Sequence, residues 1–265
     1  MTFTIPHGTC TERADYTDSQ MRSSGTKPFV CYVATIQMAE PITATFHWTE
    51  GEEEKTVEKT YAIKDYFLSY DENKDLFDPN TQKLIESTAD YGHYVQAYLA
   101  DVKGWALGEN GAYYEMDKFY TEAYNYNDTE TGLNEYGFTC VNDGADITKL
   151  SFATVLDSAT TIRLPITPTS GYTGTFAAEA DQGKEATVSK SGNRYIVGIP
   201  NLAAHELSKV YTITVTTEGG TATITTSALS YMKLLFNANE TAPVRNAASA
   251  MLGYASAAYS YQNAD

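Results

Sequence analysis

Two stretches of the chain carry apolar and aromatic side chains at helical spacing, and the two patterns match. Leu84, Thr88, Tyr91, Val95 and Tyr98 follow one another at intervals of four, three, four and three residues. Ala247, Met251, Tyr254, Ala258 and Tyr261 repeat those intervals. Such spacing lines up one face of a helix. The first helix is predicted to open at Asp78-Pro79, with Asp as N-cap and Pro at the first helical position. The second opens at Thr241, with Pro243 in its first turn, and Ala255, Ala257 and Ala258 let it approach its support closely. A shorter helix precedes each, over residues 63–70 and around Ser230-Tyr231-Met232. Both stripes are predicted to be core, not a cofactor site.

Ahead of each helical pair the period shortens to two. Residues 3–5, 29–36, 42–48 and 55–61 have the β-branched and aromatic content of strands, with a hairpin turn at Glu50-Gly51. In the second half, residues 147–155, 160–166, 174–180, 185–190, 195–199, 210–215 and 222–226 read the same way. Turns fall at Asp157-Ser158, Gln182-Gly183, Ser191-Gly192-Asn193 and Glu218-Gly219-Gly220. The halves align at an offset near 163 residues: Tyr32-Val33-Ala34-Thr35-Ile36 stands against Tyr195-Ile196-Val197-Gly198-Ile199, and Tyr91 against Tyr254. A repeat of this length predicts two copies of one module. Seven short strands spaced roughly 8–12 residues apart suggest an immunoglobulin-like sandwich. The expected fold is therefore mainly β with α (α+β): two tandem immunoglobulin-like β-sandwich modules, each ending in a short helical pair. The boundaries are 1–100 for a first module trimmed at its front, 101–145 for a Tyr-rich acidic insertion, and 146–265 for the second module.

The 265 residues suit one large domain or two of about a hundred residues. The net charge of -16 argues against a nucleic-acid partner, which needs a basic face, and against anionic membranes. No apolar run approaches the roughly 20 residues of a membrane-spanning helix. The start lacks the basic and apolar segments of a signal peptide, so Met1 is read as the start of a mature or recombinant fragment. Three cysteines have no metal-ligand spacing. Cys10 and Cys31 flank one predicted sheet, and both a disulfide between them and free, partly buried thiols stay open; Cys140 is the third.

Candidate chemistry is sparse. None of the four histidines, His7, His47, His93 and His205, stands in a zinc-ligand pair. A nucleophile elbow, a phosphate-binding loop and a dinucleotide fingerprint are absent. Asp71, Asn73 and Asp75 begin like a calcium loop, but Leu76 replaces its glycine and Gln82 its closing glutamate. They remain a weak oxygen-ligand candidate beside the reading as a solvated loop. The 21 tyrosines are more telling, because tyrosine joins apolar area to a polar tip. Tyr113, Tyr114, Tyr120, Tyr124 and Tyr126 in the insertion are the candidate binding residues, set against the plainer reading that they pack the modules together.

The strand pair of residues 147–164, the stretch Arg194-Tyr-Ile-Val-Gly-Ile-Pro-Asn-Leu-Ala-Ala204, and the closing Ser227-Ala-Leu-Ser-Tyr231 with Ala250-Met-Leu-Gly-Tyr-Ala-Ser-Ala-Ala-Tyr259 resemble repeat modules of large surface proteins of Gram-positive gut anaerobes. Tyr91-Gly-His-Tyr-Val-Gln-Ala-Tyr98 is similar to the same ending. The resemblance implies a non-catalytic, extracellular, wall-associated module with no catalytic residues and no cofactor to carry over. Adhesion to, or recognition of, a host component is the expected function. Binding of a host protein such as immunoglobulin, or a glycan-binding accessory role beside a carbohydrate-active enzyme, are the alternatives. The expected partner is a host protein or glycan, with no nucleic acid and no membrane insertion, and the fragment is expected to be a monomer.

Overall fold

The computed structural model describes residues 2–5, 11–12, 31–33, 38, 40–103, 137–156, 160–238 and 240–264. Strands dominate, and four α-helices accompany them among the described residues, so the fold is mainly β with α. In the first half, β1 (Thr2–Thr4), β4 (Ile42–Glu50) and β5 (Glu53–Tyr61) form a three-stranded sheet in the order β1-β4-β5. β2 (Thr11–Glu12) and β3 (Cys31–Tyr32) pair separately. Cys31 is disulfide-bonded, whereas Cys140 is a free thiol; Cys10 lies outside the described residues. Helices α1 (Ile63–Glu72) and α2 (Pro79–Lys103) follow, joined by a short 3-10 turn at Lys74–Leu76.

Among the described residues the second half holds nine strands: β6 (Phe138–Asp143), β7 (Ile147–Leu150), β8 (Ala153–Leu156), β9 (Thr160–Pro168), β10 (Ala177–Ala180), β11 (Thr187–Ser191), β12 (Arg194–Leu202), β13 (Tyr211–Thr216) and β14 (Thr221–Thr226). They make one sheet ordered β10-β13-β14-β6 and another ordered β11-β12-β9-β7, with β8 also on β9. Alternate residues of both sheets enter a single core. Ile162, Leu164 and Ile166 of β9 and Val197 and Ile199 of β12 share it with Ile213, Val215, Ala222 and Ile224 of β13 and β14. Period-two burial of this kind is what a half-covered sheet requires. Helices α3 (Ala228–Asn237) and α4 (Ala242–Gln262) close the chain. Ser227 caps α3 reciprocally: its hydroxyl accepts from the Ser230 N–H at 3.2 Å, and the Ser230 hydroxyl accepts from the Ser227 N–H at 2.9 Å.

The order hairpin, ten-residue helix, long helix therefore occurs twice, as β4-β5-α1-α2 and as β13-β14-α3-α4. Three details depart from expectation. Residues 147–155 are two strands, because the chain steps away at Ser151-Phe152, where Phe152 stacks on Phe138 with ring centroids 4.4 Å apart. β6 lies inside the segment read as insertion, yet it pairs along its whole length with β14. Helix α2 is buried on more than its tyrosine stripe. Tyr91 and Val95 join the large core, while Ile85 and Ala89 join a small second core with Met38, Phe67 and Tyr70. At the other end of the α4 stripe, Tyr261 is exposed.

Asp78 caps α2 as its position suggests, its Oδ1 accepting from the N–H groups of Asn80 (2.9 Å) and Thr81 (3.1 Å). The hydrogen bond from the Thr81 hydroxyl, with those N–H groups, holds the carboxyl below the usual aspartate range. A lowered folded-state pKa stabilises above the unfolded value of about 3.9 and ceases to do so as pH falls through the folded value. Asp78→Ala is thus expected to speed amide exchange at Asn80 and Thr81 at neutral pH, and Asp78→Asn to change it little. The difference between wild type and Asp78→Ala should begin to shrink as pH falls below about 4 and close only below the lowered folded-state value.

Candidate functional site

Register decides which side chains of the first hairpin share a face. Opposed residues of an antiparallel pair point the same way. Ile42 faces Tyr61, Ala44 faces Lys59, Phe46 faces Val57, and Trp48 faces Lys55; β1 adds Phe3 opposite Ala44. One face is thus apolar and aromatic, with Lys55 and Lys59 and, at the turn end, Glu50 and Glu53. The reverse face carries Thr43, Thr45, His47, Thr56, Glu58 and Thr60, which bond to one another: Thr43 to Thr60 at 3.0 Å, Thr45 to Glu58 at 3.2 Å, and His47 Nδ1 to Thr56 at 3.2 Å.

On the apolar face the Phe46 and Trp48 rings stack at 5.6 Å. Trp48 is 38%, Val57 45% and Tyr61 50% exposed. The second hairpin makes the contrast. Tyr61 stands two residues before α1 and Thr226 two residues before α3, so Ile42, Ala44 and Phe46 correspond to Tyr211, Ile213 and Val215. Those three residues, with Thr226, Ile224 and Ala222, are wholly buried. In the second half the face lies under a second sheet; among the described residues of the first half, no sheet covers it. Large apolar side chains left together in water mark an interaction surface. On that face Lys55 is paired with Glu50, and Lys59 and Glu53 add one charge of each sign.

A second feature is a cleft of about 380 Å³ where α2, α3, α4 and β8 meet. Val95, Met232, Leu235 and Val244 supply apolar wall, and Tyr98, Tyr231 and Glu240 supply polar groups. Burial, then the nearby Tyr98 phenol and the Glu240 carboxylate, push the Tyr231 hydroxyl above its ordinary pKa. Its phenol is therefore neutral at physiological pH.

The sequence-predicted residues fall elsewhere. Tyr113, Tyr114, Tyr120, Tyr124 and Tyr126 lie outside the described residues. Asp71 lies in the last turn of α1, Asn73 is its C-cap with Nδ2 donating to the Ser69 carbonyl at 2.8 Å, and Asp75 sits in the 3-10 turn. Among the described residues no group of three His, Cys, Asp or Glu side chains is placed to hold a metal ion. His93 lies edge-on to the Tyr94 ring at 5.0 Å, and His205 is in the short 3-10 helix Ala204–Glu206. No described helix is long and apolar enough to cross a membrane. The β4–β5 face was legible as two strands; that no described sheet lies over it had no signal, since the buried hairpin reads alike. Glu240 of the cleft had none either. The chain matches no protein-family model, no curated protein and no solved structure.

Proposed function

We propose that this chain is a non-catalytic recognition region of an exported, wall-associated bacterial surface protein, and that it binds a host component through the apolar face of β4 and β5. The observation that carries the reading is the exposed row of Trp48, Val57 and Tyr61, with the half-buried Phe46 stacked on Trp48, on the hairpin whose counterpart is buried. Exposed aromatic clusters rimmed by charge are where binding energy concentrates. The reading also takes the chain as two tandem immunoglobulin-like sandwich modules with helical pairs, supported by the repeated order of hairpin and two helices. The disulfide at Cys31 favours an oxidising compartment, as an exported protein would meet.

Trp48→Ala and Phe46→Ala test it. Each should weaken binding to the partner by roughly 2 kcal/mol, about thirtyfold, because truncating a central aromatic anchor costs that much. The melting temperature should hardly change in Trp48→Ala, since that ring is exposed. Purified immunoglobulin and a glycan array separate the two partner classes. Binding to either that survives both substitutions would place recognition on another surface and sink the proposal.

A further inference from the structure

The interhelical cleft shares no residue with the β4–β5 face, so it stands or falls independently of the function proposed above. Its volume of about 380 Å³ is at the small end of ligand sites. Among the described residues the lining includes no Lys, Arg or His, and its one charge is Glu240, which is exposed and so can meet a ligand's charge from solvent. Thr154 is already committed, donating to the Ala228 carbonyl at 2.6 Å. Two phenols and one carboxylate remain for a ligand. An anion would be repelled by Glu240. A sugar would find too few donors and acceptors to replace its water. A wholly apolar molecule would gain nothing from the polar groups.

We infer that this cleft binds an organic monocation, an ammonium group on an apolar alkyl or aryl body. The charge sits among the Tyr98 ring, the Tyr231 ring and the Glu240 carboxylate, and the body lies against Val95, Met232, Leu235 and Val244. A cation over tyrosine faces is attracted by the ring quadrupole, and more strongly when water is excluded. The Tyr231 hydroxyl, kept protonated by burial and by its two neighbours, leaves Glu240 as the fixed negative charge. The ammonium can belong to a free amine or to a lysine side chain of a partner.

The test uses the full chain with phenethylammonium, phenethyl alcohol and Nα-acetyl-lysine methylamide, read by calorimetry and by chemical-shift changes at the Tyr98 and Tyr231 rings. Phenethylammonium should bind about tenfold more tightly than the alcohol, and added salt should shrink that preference. Glu240→Gln should bring the two level at an unchanged melting temperature, while Glu179→Gln, an exposed acid elsewhere, should leave the preference intact. The lysine derivative binding as well as phenethylammonium points to a partner's side chain; its binding more weakly points to a free amine. Equal affinity for ammonium and alcohol, a preference that survives Glu240→Gln, or no shift at either ring overturns the proposal.

Discussion

Gly220→Ala is expected to cost about 3 kcal/mol and to lower the melting temperature by roughly 6–12 °C. Gly220 has φ +157°, and a Cβ there would lie 2.2 Å from the Asp143 carbonyl oxygen and 2.8 Å from the Gly144 carbonyl carbon. Both obstacles are backbone, so no side chain can swing aside. They are also held in place. Asp146 Oδ2 accepts from the Gly219 N–H at 2.8 Å, the Asp146 N–H donates to the Thr217 hydroxyl at 2.9 Å, and the Thr217 N–H donates to the Gly220 carbonyl at 2.9 Å. The turn after β6 and the turn after β13 thereby lock each other, and the clash cannot relax without opening both. Gly192→Ala is the control. Its φ is +61° but nothing lies within 4 Å of the added carbon, so only the left-handed backbone penalty of about 1 kcal/mol applies. Urea unfolding of both variants decides the matter. Equal losses would mean that the two turns do not meet as closely as described.

The turn after β13 was readable on its own from Glu218-Gly219-Gly220, and Asn142-Asp143-Gly144 has the composition of the other. Their contact was not readable, because it joins residues 73 apart in the chain through backbone groups that leave no trace in residue type. The same division runs through the molecule. Helical and strand periods located α1 to α4 and the hairpins within a few residues, since those patterns are imposed by burial on one side. Where an element is covered on several sides, the pattern blurs. Asp90 and Gln96 are buried on α2, where their polarity argued for the surface. β6 escaped notice because its apolar residues Phe138, Cys140 and Val141 do not alternate with its polar ones, and it lies at the edge of its sheet. Tyr98 was correctly placed on an inward stripe, but its part in a cleft depends on Tyr231 and Glu240, which arrive from another helix and a connecting segment.

Tyr91→Ala is expected to destabilise both halves together, by about 3–4 kcal/mol, the usual loss for truncating a buried aromatic ring. Tyr91 is 5% exposed, and its ring stacks on that of Tyr254 with centroids 5.2 Å apart and planes 12° from parallel. The two residues hold equivalent positions in the repeat, 163 apart. α2 and α4 therefore meet through matching positions of their two stripes. Tyr91 and Val95 also belong to the same core as the β9, β12, β13 and β14 side chains. Unfolding should therefore be a single transition, with circular dichroism and hydrogen exchange agreeing on its midpoint. In Tyr91→Ala the amides of Ile199 and Ile224, deep in the second half, should lose protection along with those of α2. The double variant Tyr91→Ala/Tyr254→Ala should lose about 1 kcal/mol less than the two single losses combined, the coupling of a stacked aromatic pair. If the Ile199 and Ile224 amides keep their protection while α2 melts, the halves fold separately and the tyrosine stack is only a contact between them.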